Sequence, residues 1–313
     1  MQTGVCIQLI VIMEPLKLPP AEFNQRAILV TGASSGIGRA TALRLVSHGW
    51  RVFAGVRKVT DAEALLADAR GTLEPLQIDV TDQASIAAAT REVEARLGNR
   101  GLDALFNNAG IAMTFPVEHT PLHKLREIFE INLFGQVAVL HAFLPMVRRA
   151  KGRIINTGSV GDHITPPFGG ALAGSKAAFA SMNAALRLEL RSQGIHVCLL
   201  EPGAINTPAV EKTLGVVEKT ISELPPSAAE LYGPAMRIMT RTFAKMERNG
   251  SSPEIVAEVV ERALTDRNPQ ARYPAGKDSR KLALLARFLP EKLLDLAILK
   301  TFGLPTAFDK PIH

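Results

Sequence analysis

Cysteine is nearly absent from this chain: Cys6 and Cys198 are the only two in 313 residues, and they stand far apart. Neither a disulfide framework nor a thiol-ligated metal site can be assembled from them, so the expectation is a reducing, cytoplasmic setting and no metal. No basic run with interleaved aromatics occurs, which argues against nucleic acid as a partner. The apolar run from Val5 to Met13 has no basic leader and is too short to span a bilayer. Met13 is an alternative start, with the residues before it an upstream extension. Tyrosine is as scarce as cysteine, with Tyr232 and Tyr273 alone.

What is present is apolar and mildly basic. A hydrophobic share of 47% against 21% charged allows a sizeable core and excludes wholesale disorder. The net charge of +6 is modest for this length and reads as solubility, with an anionic ligand or surface as its other use.

The chain is organised around Ala27 to Arg39, AILVTGASSGIGR. Ala27 to Val30 has the length and β-branched content of a buried strand. Gly32, Gly36 and Gly38 follow, and Arg39 to His48 carries apolar residues at helical spacing. A strand turning through glycines into a helix presents free N–H groups at the positive end of the helix dipole, which suits a pyrophosphate. Further strands are predicted at Arg51–Val56, Leu73–Ile78, Leu102–Phe106, Arg153–Asn156 and Ile195–Glu201, with a last one near Ala271–Tyr273. Helical patterns fill the intervals, including one long region from Pro121 to Arg149 and another from about Gly174 to Arg191. Regular alternation of this kind means an α/β fold, a doubly wound parallel sheet with helices on both faces.

The expected organisation is an extension over 1–26, one domain over 27–275 with an inserted lid at about 208–249, and a helical appendage over 276–313. Ser252-Pro253-Glu254 reads as a helix start, with proline at the first helical position and acid in the first turn.

Thr31-Gly32-Ala33-Ser34-Ser35-Gly36-Ile37-Gly38, Asn107-Asn108-Ala109-Gly110 and Pro202-Gly203, in this order and spacing, resemble the short-chain dehydrogenase/reductase family over roughly 27–267. The tail looks more like the hydroxysteroid and retinol dehydrogenase branch. The resemblance implies a Rossmann-type sheet of about seven strands binding NAD or NADP at its C-terminal edge. It implies that Gly32, Gly36, Ile37 and Gly38, in a loop shared with Ser34 and Ser35, hold the pyrophosphate. Asp79 and Val80 would meet the adenine, Asn107, Ala109 and Gly110 its ribose, and Thr207, after Pro202 and Gly203, the nicotinamide carboxamide. Where NAD-preferring relatives carry an acid after the second strand, this chain has Val56, then Arg57 and Lys58. A guanidinium pairs with a 2′-phosphate, so NADP is favoured over NAD.

By the same resemblance Asn132 fits the Asn that holds a water, Ser159 the Ser that bonds the substrate oxygen, and Lys176 the Lys that tunes a tyrosine four positions earlier. Four positions before Lys176 stands Leu172. Leucine has no proton to exchange. Another group or water would then supply it, His163 being nearest in sequence because histidine titrates near neutrality; Tyr232 from the lid is a further candidate. The other readings are non-redox chemistry such as isomerisation or cyclisation, a catalytically silent dinucleotide-binding protein, or an introduced change at 172.

Apolar lid residues, among them Leu214, Val217, Ile221, Met236 and Met239, together with Phe115, Pro166, Pro167 and Phe168, suggest a mostly apolar small-molecule substrate or a cover for the protein's own core. Arg280, Lys281, Arg287 and Lys292 among leucines admit a membrane surface. Packing on the protein itself or on a subunit partner is the preferred reading. The family resemblance implies a homodimer or homotetramer.

Overall fold

A computed structural model describes residues 25–306; the extension up to residue 24, with Cys6 and the Val5–Met13 run, lies outside the described residues. Seven strands, β1 (Ala27–Val30), β2 (Arg51–Val56), β3 (Leu73–Gln77), β4 (Ala104–Asn107), β5 (Arg153–Thr157), β6 (His196–Pro202) and β7 (Arg272–Ala275), form one sheet in the order β3-β2-β1-β4-β5-β6-β7. Every pairing is parallel. Because successive side chains in a strand point to opposite faces, Ile28 and Val30 enter one core and Ala27 and Leu29 the other, all fully buried. Strands buried on both faces need continuous apolar runs, and β1 has one.

On the first face lie α1 (Gly36–Ser47), α2 (Val59–Asp68) and α9 (Pro253–Thr265), contributing Leu45, Leu65 and Val260. Opposite them lie α3 (Gln83–Leu97), α5 (Gln136–Ala150) and α6 (Gly170–Glu189), contributing Val93, Phe143 and Phe179. Asp82 starts α3 by accepting from the Ala84 N–H at 2.8 Å.

The helical region predicted over 121–149 is interrupted. It comprises α4 (Leu122–Phe129), a π-helical turn (Glu130–Gly135) and α5. The span Leu122–Ala150 is long and apolar enough to cross a membrane by length and composition. Here Val139, Phe143 and Val147 pack it onto the sheet as a core helix. The helix predicted from Gly174 begins at Gly170, so position 172 lies within its first turn.

After β6 the lid is a helical hairpin, α7 (Ala209–Ser222) against α8 (Pro226–Arg248). The last helices are α10 (Ser279–Phe288) and α11 (Glu291–Thr301), separated at Leu289-Pro290. Phe302 and Leu304, following α11, bury with Ala235 and Met239 of α8. The segment after α11 thus packs on the lid.

Phe143 has no exposed surface. Phe143→Ala should lower the unfolding free energy by about 3–5 kcal/mol, read as a lower urea midpoint at unchanged slope.

Candidate active site

The glycine turn lies where the strand order reverses, between β1 and β4, and crevices at such points receive ligands in doubly wound sheets. Gly32 has φ +66°, and a Cβ there would come within 2.9 Å of the Ala109 Cα. A Cβ on Gly38 would meet the Gly32 carbonyl at 2.2 Å, so α1 can close onto β1 only with glycine at 38. Gly36, at φ +52°, is different: its added Cβ would reach only the Thr207 side chain, at 3.4 Å. That space, at the N-terminus of a helix with no acid in its first turn and no side-chain cap, fits a pyrophosphate. Ser34, Ser35 and Ile37 belong to the same turn, and Thr207 faces it from beyond β6.

Thr31 holds the turn to the next strand. Its hydroxyl accepts from the Asn108 N–H (2.8 Å) and the Ala109 N–H (3.0 Å), while the Asn108 amide donates to the Thr31 carbonyl (3.1 Å). Asn107 donates to the Gln136 carbonyl at 2.8 Å, and the Gln136 amide donates to the Ala109 carbonyl. The NNAG segment is therefore braced from both sides. Thr31 and Gln136 escape sequence reasoning, because a threonine before a glycine and a glutamine in a helix are ordinary there.

Val56 is buried at the end of β2, and Arg57 beyond it is exposed and forms no ion pair among the described residues. Asp79 follows β3. Its Oδ1 accepts from the Thr81 N–H (2.9 Å) and hydroxyl (2.7 Å). Those bonds, with help from the Arg57 charge, hold its carboxyl below the usual range, so it stays an acceptor. Val80 is buried beside it. Pro202 ends β6, and a Cβ on Gly203 would lie 2.9 Å from the Lys277 carbonyl, where the chain leaving β7 crosses it.

Asn132 sits in the π-helical turn, fully buried, where the wider turn lets it reach across to the neighbouring strand end. Its Oδ1 accepts from the Ile111 N–H, and its amide donates to the Ile111 carbonyl, each at 2.9 Å, and to Ser175 Oγ at 3.1 Å. Lys176 donates to the Thr157 carbonyl at 2.8 Å. A Cβ on Gly110 would lie 3.1 Å from Asn132 Oδ1 and 3.7 Å from Lys176 Nζ, so these three residues converge on one spot. Burial pushes the Lys176 ammonium down to about 8, opposed by the Asp162 charge. Ser159, past the end of β5, accepts from the Gly161 N–H at 2.9 Å. Its hydroxyl hydrogen is left to donate to a ligand. Leu172 lies one helical turn before Lys176 on the same face of α6.

The structure places the other candidate acids as follows. His163 Nε2 is 2.8 Å from Glu201 Oε1 and 3.1 Å from Arg272 Nη1. Its neighbour Asp162 accepts from the same guanidinium at 2.9 Å. Asp162, His163 and Glu201 bring one donor atom each within 4.8 Å of one another, and Arg272 supplies the positive charge among them. Asp162, Glu201 and Arg272 were not legible as a cluster in the sequence, lying on separate elements. The Tyr232 hydroxyl donates to Glu118 at 2.5 Å, and that carboxylate raises the phenol's pKa, opposite to what a proton donor needs. Tyr273, in β7, is buried with its hydroxyl on Asp266 at 2.8 Å, and burial pushes it up to about 12. Both tyrosines are committed elsewhere.

Phe115, Ile221 and Met236 form a small core under the lid, with Met113, Val217, Phe168 and Tyr232 packed on it. Phe168 carries φ +62°, and its carbonyl accepts from the Phe115 N–H at 3.0 Å. Strain in a bulky residue marks a wall held in place by its surroundings. A cavity of about 380 Å³ lies against that wall, between Val117, Pro166, Pro167 and, from α11, Ile298 and Leu299. The lid residues Ile221, Met236 and Met239 cover the protein's own core, whereas Pro166, Pro167 and Phe168 border this cleft.

A seven-stranded parallel sheet with an open glycine turn at its switch point defines a Rossmann-type α/β fold. The family described as short chain dehydrogenase matches residues 26–215, and the chain belongs to it. Human "Dehydrogenase/reductase SDR family member 9" is 31% identical over 292 residues, 91% of this chain and 90% of that protein. Rat "Estradiol 17-beta-dehydrogenase 2" is 34% identical over 299 residues, 93% of this chain and 78% of that one. A solved short-chain dehydrogenase from Streptomyces avermitilis superposes at a TM-score of 0.70 with 27% identity, covering 89% of this chain and 97% of its own. The family is one of oxidoreductases that use NAD(P).

Two measurements probe this geometry. Gly36→Ala should weaken NADPH binding, read by fluorescence titration, beyond the roughly 1–2 kcal/mol that the left-handed backbone costs in stability. Lys176 loses its proton near 8 in the folded chain but only near 10.5 unfolded, so the unfolded state binds more protons between those values. Stability of the protein without ligand should therefore rise with pH across that window, by at most about 1.4 kcal/mol per pH unit, and Lys176→Met should flatten the rise in urea titrations.

Proposed function

We propose that this chain transfers hydride between a nicotinamide dinucleotide, NADP in preference to NAD, and a mostly apolar carbonyl or alcohol. The observation that carries the proposal is the convergence of Lys176, Asn132 and Gly110 at the ends of β4 and β5, next to the open turn at Gly36. The dinucleotide, when bound, supplies or takes up the hydride. Ser159 donates its hydroxyl hydrogen to the substrate oxygen. Lys176 presents a positive charge in a dry site, where it acts more strongly than in water. Asn132 fixes the 110–111 backbone, and with it the floor on which Lys176 lies. Phe168, Val117 and, from α11, Ile298 and Leu299 shape a mostly apolar cleft, with Asp295 also on its wall. A relative named for estradiol fits that substrate class. Buried Val56 offers no carboxylate to a 2′-hydroxyl, and exposed Arg57 suits a 2′-phosphate.

Leu172, in the place the family gives its tyrosine, favours a second reading: a dinucleotide-binding protein that is silent or performs non-redox chemistry. Product formation decides between them. NADPH should bind more tightly than NADH, with Arg57→Ala erasing most of the preference, and turnover on a panel of apolar carbonyls should fall in Ser159→Ala. Tight NADPH binding with no turnover on that panel, in wild type and in Leu172→Tyr alike, would end the oxidoreductase proposal.

A further inference from the structure

The last two helices leave in water apolar side chains that the sequence pattern assigns to packing. No residue of α11 is buried, and in α10 only Ser279 is. Phe288 is 74% exposed and Leu284 50%, with Leu285 beside them and Leu293 and Leu296 exposed on α11. α10 is nevertheless anchored. The Ser279 hydroxyl is fully buried and donates to the Glu201 carbonyl at 2.7 Å, and the helix packs on the Val160–Asp162 turn that follows Ser159. A contiguous apolar surface on an anchored helix marks a place where something else binds.

Charge indicates what binds. Over Ser279–Phe288 the helix carries Arg280, Lys281 and Arg287 and no acid. Leu284, Leu285 and Phe288 share one open groove of about 640 Å³ with Arg280, Lys281 and a single acid, Asp278. Arg280 and Lys281 are exposed and form no ion pair among the described residues. Apolar depth beneath a layer of negative charge is what an anionic bilayer surface offers. Leucine and phenylalanine enter the acyl boundary, while long basic side chains keep their charges among the headgroups. A second copy of this chain fits less well, because a two-fold contact sets the patch against itself and brings like charges together.

We propose that the exposed face of α10 docks this protein on an anionic lipid surface. α10 follows β7 at the C-terminal edge of the sheet, the edge that carries the glycine turn and Ser159. Docking therefore turns that edge toward the lipid. α11 continues from α10 across Pro290 and supplies Ile298 and Leu299 to the cleft wall, so the docked helix and the cleft are joined by one short stretch of chain. The contact makes no use of the dinucleotide site and stands apart from the chemistry performed there.

The full chain should co-sediment with phosphatidylcholine vesicles containing roughly a third phosphatidylserine, and about tenfold more weakly with phosphatidylcholine alone. Arg280→Gln combined with Lys281→Gln should weaken binding to the anionic vesicles about tenfold or more. Leu284→Ser combined with Phe288→Ser should do so by a similar factor, on the order of tenfold. All four side chains are exposed, so the urea midpoint of each double variant should match wild type. Phe288→Trp should add an emission that shifts to the blue on anionic vesicles and is quenched by brominated lipid, against a wild type whose one tryptophan, Trp50, is buried. No binding to the anionic vesicles, equal binding to both vesicle types, or binding unchanged in both double variants would each overturn the proposal; the last would move the contact off α10. A dimer in sedimentation that Leu284→Ser with Phe288→Ser dissociates would overturn it in favour of a second copy. Should a double variant fail to fold, Phe288→Trp decides: an unshifted, unquenched emission from vesicle-bound protein would overturn the proposal.

Discussion

The hydroxyl of Thr31 accepts two backbone N–H groups from the strand next door, and the geometry of the whole site depends on that clasp. It joins the ends of β1 and β4 at the point where the strand order reverses. Once the Asn108–Ala109 backbone is held there, Gly32 has no room for a side chain and Gly38 lies against the Gly32 carbonyl. The helix N-terminus that follows then points into the crevice. Its N–H groups and dipole favour an anion without any charged side chain. Gln136 braces the same segment from the far side and sits just past the π-helical turn that carries Asn132. The glycine turn and the turn that carries Asn132 are therefore parts of one hydrogen-bonded frame.

Burial governs the chemistry on that frame. Lys176 is enclosed and donates to the Thr157 carbonyl, so its charge is held against a desolvation penalty. A neighbouring anion relieves part of that penalty, and Asp162 is that anion, itself penalised by burial. The Arg272–Glu201 pair on β7 and β6 anchors Asp162 to the sheet.

The apolar residues of the lid, of the loops at 115–117 and 166–168 and of α11 divide between core and cleft. Ile221, Met236 and Phe115 are consumed in a small core, whereas Val117, Phe168, Ile298 and Leu299 border open space. Nothing in the spacing of these residues distinguishes the two uses. A methionine on an amphipathic helix has the same pattern whether it faces a neighbour or a ligand. The α11 contribution was legible only as a leucine-rich helix, because its docking surface on α8 lies some sixty residues earlier in the chain.

The sheet, the glycine turn and the leucine at 172 were all legible along the chain. These are local: β-branched runs make strands, glycine alone takes the turn at 32, and a residue four places before Lys176 on a helix shares its face. The sequence also yielded helix limits to within a few residues, missing the break at 130–135 because a π-helical turn keeps the apolar spacing of its neighbours. Which side chains meet, by contrast, came from the packing of distant elements. His163 was the nearest histidine by number, yet its partners come from 38 and 109 positions away. Tyr232 was a free hydroxyl on paper and is held by Glu118, 114 positions away. Electrostatic roles depend on distance and burial, and both are set by the packing of separate elements rather than by the order of residues along the chain.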